Sequence, residues 1–168
     1  MTIEVEWKAL KEEDPRWNYS RCLYAYLAPN GNEILYIGKA WGTSVRNRRS
    51  WSSKKEFWKD LKKQRGIKHH VPLIGQIYLR KGVRLTRQLL ADVESLLIQI
   101  EKPWGNIQSR DTRIRRPGMQ VKCAGEWPSR RKIYRDKWST NIAYRPARKV
   151  IEFMDLFKSR FHRHWEYV

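Results

Sequence analysis

The sequence predicts a small α+β domain followed by a strongly basic stretch. Three observations carry that reading. Residues 21–38, "RCLYAYLA-PNGNE-ILYIG", have the pattern of a β-hairpin. Residues 85–106, "LTRQLLADVESLLIQIEKPWGN", have the pattern of a long amphipathic helix. Residues 107–168 hold 16 Lys or Arg against 6 Asp or Glu, an excess of ten positive charges. The divisions that follow are a lead-in over 1–19, a domain over 20–106 and a basic extension over 107–168.

Each element has a local reason. In the first strand Leu23, Ala25 and Leu27 share one face, and Tyr24 and Tyr26 share the other. The Asn-Gly-Asn stretch is turn-forming by composition, and "ILYIG" returns. Thr43 or Ser44 can cap a short basic helix, "VRNRR". "KKEFWKDLKKQRG" is a second helix, with Phe57, Trp58 and Leu61 on its apolar side and Gly66 as its C-cap. "VPLIGQIYLRKG" is a third strand, with Pro72 near its start, where a missing donor is tolerated. The long helix opens after Thr86 and stops before Pro103. Its apolar positions Leu89, Val93, Leu96, Leu97 and Ile100 recur at helical spacing. In the extension, residues 146–165 read as a last helix with an apolar stripe.

Composition narrows the function. The chain has 168 residues and a net charge of +19. Such a charge favours a polyanionic partner, nucleic acid before an acidic membrane surface. Nine Trp and eight Tyr oppose a disordered basic tail. Cys22 and Cys123 form no C-x-x-C pair, which argues against zinc or a disulfide framework. The N-terminal residues show no apolar signal-peptide core, and no apolar run approaches the roughly 18 residues of a membrane span. The expectation is a cytoplasmic protein of a prokaryote or of a phage-infected host.

The hairpin and the long helix share a further pattern. Tyr24 stands in one strand, Tyr36-Ile37-Gly38 in the next, and Lys39 follows. Downstream come Glu94 on a helix, then Pro103, then Asn106. This ordered set, over roughly residues 21 to 106, resembles the GIY-YIG nucleases, in a prokaryotic or phage branch. The first half of the signature has drifted to Cys22-Leu23-Tyr24, so only its tyrosine is kept. The resemblance implies a small three-stranded antiparallel sheet flanked by helices. It also implies metal-dependent hydrolysis of nucleic-acid phosphodiesters, usually DNA. In that family the tyrosines and an arginine face the scissile phosphate, and the glutamate holds one divalent metal, here Mg²⁺ or Mn²⁺. The arginine falls on Arg48 when the helix starts are aligned, and on Arg46 by strict counting from Gly38. Many members carry a histidine four residues later; Ser52 or Ser50 stands there in this chain. That departure shifts the base role toward Tyr24 or Tyr26.

The same residues can be read chemically. Phosphodiester hydrolysis needs an attacking water, positive charge on the phosphoryl oxygens and help for the leaving oxygen. Tyrosine, with an ordinary pKa of about 10, needs a nearby cation to act as a base. Tyr24 is the candidate to orient or deprotonate water, with Tyr36 as partner. Arg48 or Arg46 can bind phosphate in a bidentate manner. Glu94 lies in an otherwise apolar stretch, where a carboxylate is costly unless paired or metal-bound, and a hard cation suits it. Asp92 falls on another face and is read as solvated. His69 and His70 read as a surface-loop pair, and Asn106 as a brace for local backbone. Lys39, Arg110, Arg113, Arg115, Arg116, Arg130 and Arg131 are the expected nucleic-acid contacts, with Trp127 and Trp138 able to add stacking. The contrasting reading is a non-catalytic DNA- or RNA-binding protein on a degenerate nuclease fold.

Overall fold

A computed structural model describes residues 1–50, 52–110 and 112–136. Its strands are β1 (Thr2–Ala9), β2 (Cys22–Leu27), β3 (Ile34–Ala40), β4 (Val71–Tyr78), β5 (Gln120–Gly125) and β6 (Ile133–Arg135). Its helices are α1 (Val45–Ser50), α2 (Ser52–Arg65) and α3 (Arg87–Glu101). Short 3-10 turns cover Pro15–Asn18 and Trp104–Ser109.

The expected three-stranded antiparallel sheet is overturned. Among the described residues the sheet has six strands in the order β3-β2-β4-β1-β5-β6, and it is mixed, because β1 and β5 run parallel. It curls into a half-barrel. β3, β2 and β4 are antiparallel neighbours within it, but β4 does not end the sheet. Its outer edge is paired to β1, from Glu4 opposite Tyr78 to Ala9 opposite Leu73. An open edge on β4 would leave a row of backbone donors and acceptors unpaired, and β1 satisfies them. Residues 2–9 are thus a central strand rather than a lead-in. Ile3, Val5 and Trp7 are buried, while Thr2, Glu4 and Lys8 face solvent. β5 and β6, from residues read as extension, continue the same sheet. Residues 146–165 and Trp138 lie outside the described residues.

Both faces of β2 are covered, which is why all six of its residues are buried. Leu23, Ala25 and Leu27 pack with Leu89, Leu90, Val93, Leu96 and Leu97 of α3. Tyr24 and Tyr26 pack on the other face with Val45 of α1, Trp17, and the half-buried Tyr36, Phe57 and Trp58. Thr86 caps α3 by accepting from the Leu89 amide at 3.1 Å. Such a cap contributes about 1 kcal/mol. Each fully buried leucine contributes about 1.5–3 kcal/mol, so packing rather than capping holds α3 in place. Ser44 caps α1 through the Asn47 amide at 3.2 Å. No helix among the described residues is long and apolar enough to cross a membrane.

Candidate active site

The site forms where the hairpin meets α1, α2 and α3. In the hairpin register Tyr24 lies opposite Gly38, and Tyr26 opposite Tyr36. The three rings therefore share one face. The Tyr24 and Tyr36 centroids are 6.0 Å apart, and Tyr24 and Tyr26 are 5.6 Å apart. Gly38 makes this possible. A Cβ there would sit 2.5 Å from Tyr24 Cζ and 2.8 Å from Tyr36 Cε1. The glycine is needed for space. Gly38→Ala is expected to cost about 1–3 kcal/mol by overpacking, read by urea unfolding. A variant as stable as the parent would show that the tyrosines can give way.

Burial sets the acidity of these rings. Burial above all, then Tyr36, Tyr26 and Glu94, pushes the Tyr24 hydroxyl well above its ordinary value. Tyr36 is pushed up to about 12, first by burial and then by Glu94. A hydrogen bond between the two hydroxyls raises Tyr24 and lowers Tyr36. Tyr26 is raised as well, chiefly by burial. Near neutral pH all three are therefore protonated.

Glu94 comes from α3 and Lys39 from the end of β3, and the two form an ion pair through Glu94 Oε2. The Glu94 side chain is only 13% exposed. Burial raises its pKa above the usual carboxylate range, against the opposing pull of Lys39 and Arg48. Arg48 of α1 is half-buried, and its charge acts on Glu94, Tyr36 and Lys54. Arg46 is exposed and lines a separate cleft with Arg49, His69 and His70. Of the two arginines, Arg48 is the one whose charge reaches Glu94.

Lys54 completes the cluster and was missed in the sequence. Its ammonium lies 2.9 Å from the Tyr36 ring centroid, and the residue is 9% exposed. The sequence signal was its spacing: Lys54, Phe57, Trp58 and Leu61 fall at i, i+3, i+4 and i+7, on one face of α2. Burial pulls its pKa down to about 7, with Arg48 in the same direction and Glu94 opposing. Between pH 7 and its ordinary value of 10.5 the unfolded chain holds the extra proton. Stability from this residue therefore rises with pH across that window and is lowest below 7. Lys54→Met is expected to be more stable than the parent at pH 6, by about 1–2 kcal/mol after the lost cation–π contact is counted. The gap should close as pH rises toward 10. Urea unfolding at several pH values measures it; a gap independent of pH would contradict the burial of the charge.

The other expected residues fall in three groups. Asn106 is buried, and it braces a strand distant in sequence rather than local backbone. Its Oδ1 accepts from the Ile37 amide and its Nδ2 donates to the Ile37 carbonyl, both at 2.8 Å. That clamps the free edge of β3 between Tyr36 and Gly38. Asp92 is buried rather than solvated; Oδ1 accepts from Gln88 at 2.8 Å and from the Arg115 amide at 3.1 Å. His70 is not a plain surface residue. It stacks on Trp58 at 4.1 Å, and burial with Arg49 lowers it to about 4.

Among the expected nucleic-acid contacts, Arg110 is engaged internally, donating to the carbonyls of Lys102 at 3.1 Å and Pro103 at 2.9 Å. Arg113, Arg115, Arg116, Arg130 and Arg131 are exposed. Trp127 is unavailable for stacking on a ligand. It is 2% exposed, stacks on Trp7 at 4.4 Å and donates to Tyr134 at 2.6 Å.

Among the described residues no three His, Cys, Asp or Glu side chains converge on one point. A divalent cation would therefore rest on Glu94 as its single carboxylate, with water and phosphate oxygens completing the shell. That donor chemistry fits magnesium or manganese, which keep several waters when a phosphate shares the site.

No family model matches the chain, and no match was found among curated proteins or solved structures.

Proposed function

We propose that the chain is a metal-dependent endonuclease of the GIY-YIG type that hydrolyses DNA phosphodiester bonds. One observation carries this reading: Tyr24, Tyr36, Lys39, Arg48 and Glu94 come from four elements yet cluster at one edge strand. A buried carboxylate among three cations and two phenols suits a phosphodiester. Arg48 and Lys54 would neutralise phosphoryl oxygens, and Lys39 would move from Glu94 to the phosphate. The tyrosine hydroxyls would orient the attacking water by hydrogen bonds. Glu94 would hold Mg²⁺ or Mn²⁺, which supplies Lewis acidity when bound. The +19 charge would provide affinity through phosphate contacts that weaken steeply with salt. The setting in this reading is a prokaryotic or phage-infected cytoplasm.

The Lys39–Glu94 ion pair favours a second reading, in which the carboxylate is structural and the chain only binds DNA or RNA. Supercoiled plasmid, single-stranded DNA and RNA, each incubated with Mg²⁺, Mn²⁺ or EDTA, separate the two. Metal-dependent nicking is expected. Shifted but uncut substrate under every condition would leave the binder.

A further inference from the structure

A cleft of about 660 Å³ lies beside the tyrosine cluster, and its chemistry differs from that of the cluster. Trp58 and His70 both line it, stacked on each other with rings 4.1 Å apart and 17° from parallel. Among the described residues its charged lining comes from Arg46, Arg49, Lys62 and Lys68, with no acidic side chain. Tyr26 joins the cleft to the site: its ring meets Trp58 at 4.7 Å, His70 at 5.0 Å and Tyr24 at 5.6 Å.

We propose that this cleft holds an unpaired nucleotide of a DNA strand next to the cleaved phosphate. The base would lie against the Trp58–His70 stack, and its flanking phosphates would meet Arg46, Arg49, Lys62 and Lys68. The inference rests on the nuclease reading for the location of the cleaved bond, but not for the binding itself. Two features favour a nucleotide over a simple polyanion. A basic patch needs no π-wall, whereas every base has a face that stacks on one. His70, lowered by burial, is neutral near pH 7 and offers a planar face rather than another charge. Arg46, which does not share the Glu94 cluster, also gains a role here.

Fluorescence anisotropy in EDTA tests it, with the full chain and a labelled single-stranded thymidine 12-mer. The comparison strand has the same backbone with its central bases removed. The parent should bind the intact strand at least about five-fold tighter, the lower limit for one stacked base. His70→Ala and Trp58→Ala should erase that preference while binding the abasic strand within about two-fold of the parent. Arg49→Ala should weaken both strands alike. Because Trp58 also packs against Tyr26, the His70 variant decides if the Trp58 variant does not fold. Equal binding of both strands by the parent, or a preference that survives His70→Ala, would overturn the proposal. EDTA separates this from catalysis. A base preference without plasmid nicking would retain the cleft and remove the nuclease, and nicking without a base preference would do the reverse.

Discussion

Glu94→Gln is expected to reduce metal-dependent cleavage by about 10²-fold or more, the scale of removing one charge-stabilising group from a preorganised site. The same variant should be at least as stable as the parent at pH 7. The reason is linkage. The folded-state pKa of Glu94 lies above its unfolded value, because burial outweighs Lys39 and Arg48. The folded chain thus holds this proton more tightly than the unfolded chain. The resulting stability is complete below the unfolded pKa and is lost as pH rises through the raised folded one. Above that raised pKa the ionised carboxylate is a cost, even with Lys39 beside it. Glutamine keeps the shape and an acceptor oxygen for Lys39 without that cost. Plasmid nicking and thermal unfolding on the same preparation read both effects. Nicking at close to the parent rate would remove Glu94 from the mechanism. A large fall in stability would instead show that its ion pair is structural, as the binding-protein reading requires.

Asn106→Ala is expected to be the most destabilising single change at the site, at about 2–6 kcal/mol. Asn106 satisfies both backbone groups of Ile37, with two bonds of 2.8 Å in a buried setting. Truncation leaves a donor and an acceptor unpaired, each costing about 1–3 kcal/mol. Asn106→Asp should be intermediate in its hydrogen bonding, since it retains an acceptor for the amide but loses the donor to the carbonyl. Urea unfolding gives the loss, and amide hydrogen exchange at Ile37 locates it. A cost below about 1 kcal/mol would mean that water or a neighbouring chain segment replaces the clamp. Because Ile37 lies between Tyr36 and Gly38, fraying there should also lower cleavage.

What the sequence made legible is local. The Asn30-Gly31 turn, the Ser44 and Thr86 caps, the Gly66 C-cap and the α3 stripe depend on residues within a few positions of each other. Gly31 and Gly66 both take positive φ, at 72° and 64°, as a turn and a helix end need. β1 carried a signal that its charges obscured. Ile3, Val5 and Trp7 alternate with Glu4, Glu6 and Lys8, a period of two in an otherwise polar stretch. What it would pair with was not legible, because its partners β4 and β5 lie more than about sixty residues away. Lys54 had a readable place on the α2 stripe, but long basic side chains on such stripes usually reach solvent. Its burial depends on Tyr36, which belongs to another element. Asp92 and Trp127 were misplaced for a similar reason. The Arg115 amide and the Trp7 ring that cover them arrive from distant segments.

The sequence by itself determined a basic, aromatic-rich α+β chain with two strong helices and a tyrosine-bearing hairpin. It also supplied the tyrosines, arginines and glutamate on which the proposed phosphate chemistry rests. Tertiary structure decided that the sheet among the described residues has six strands, that Arg48 rather than Arg46 acts on Glu94, and that the tyrosine hydroxyls are buried and raised in pKa. It placed Lys54 over Tyr36 and Asn106 on the edge of β3. The physical reason is range. Turns, caps and periodicity are set by neighbours along the chain, whereas burial, pairing and pKa are set by neighbours in space.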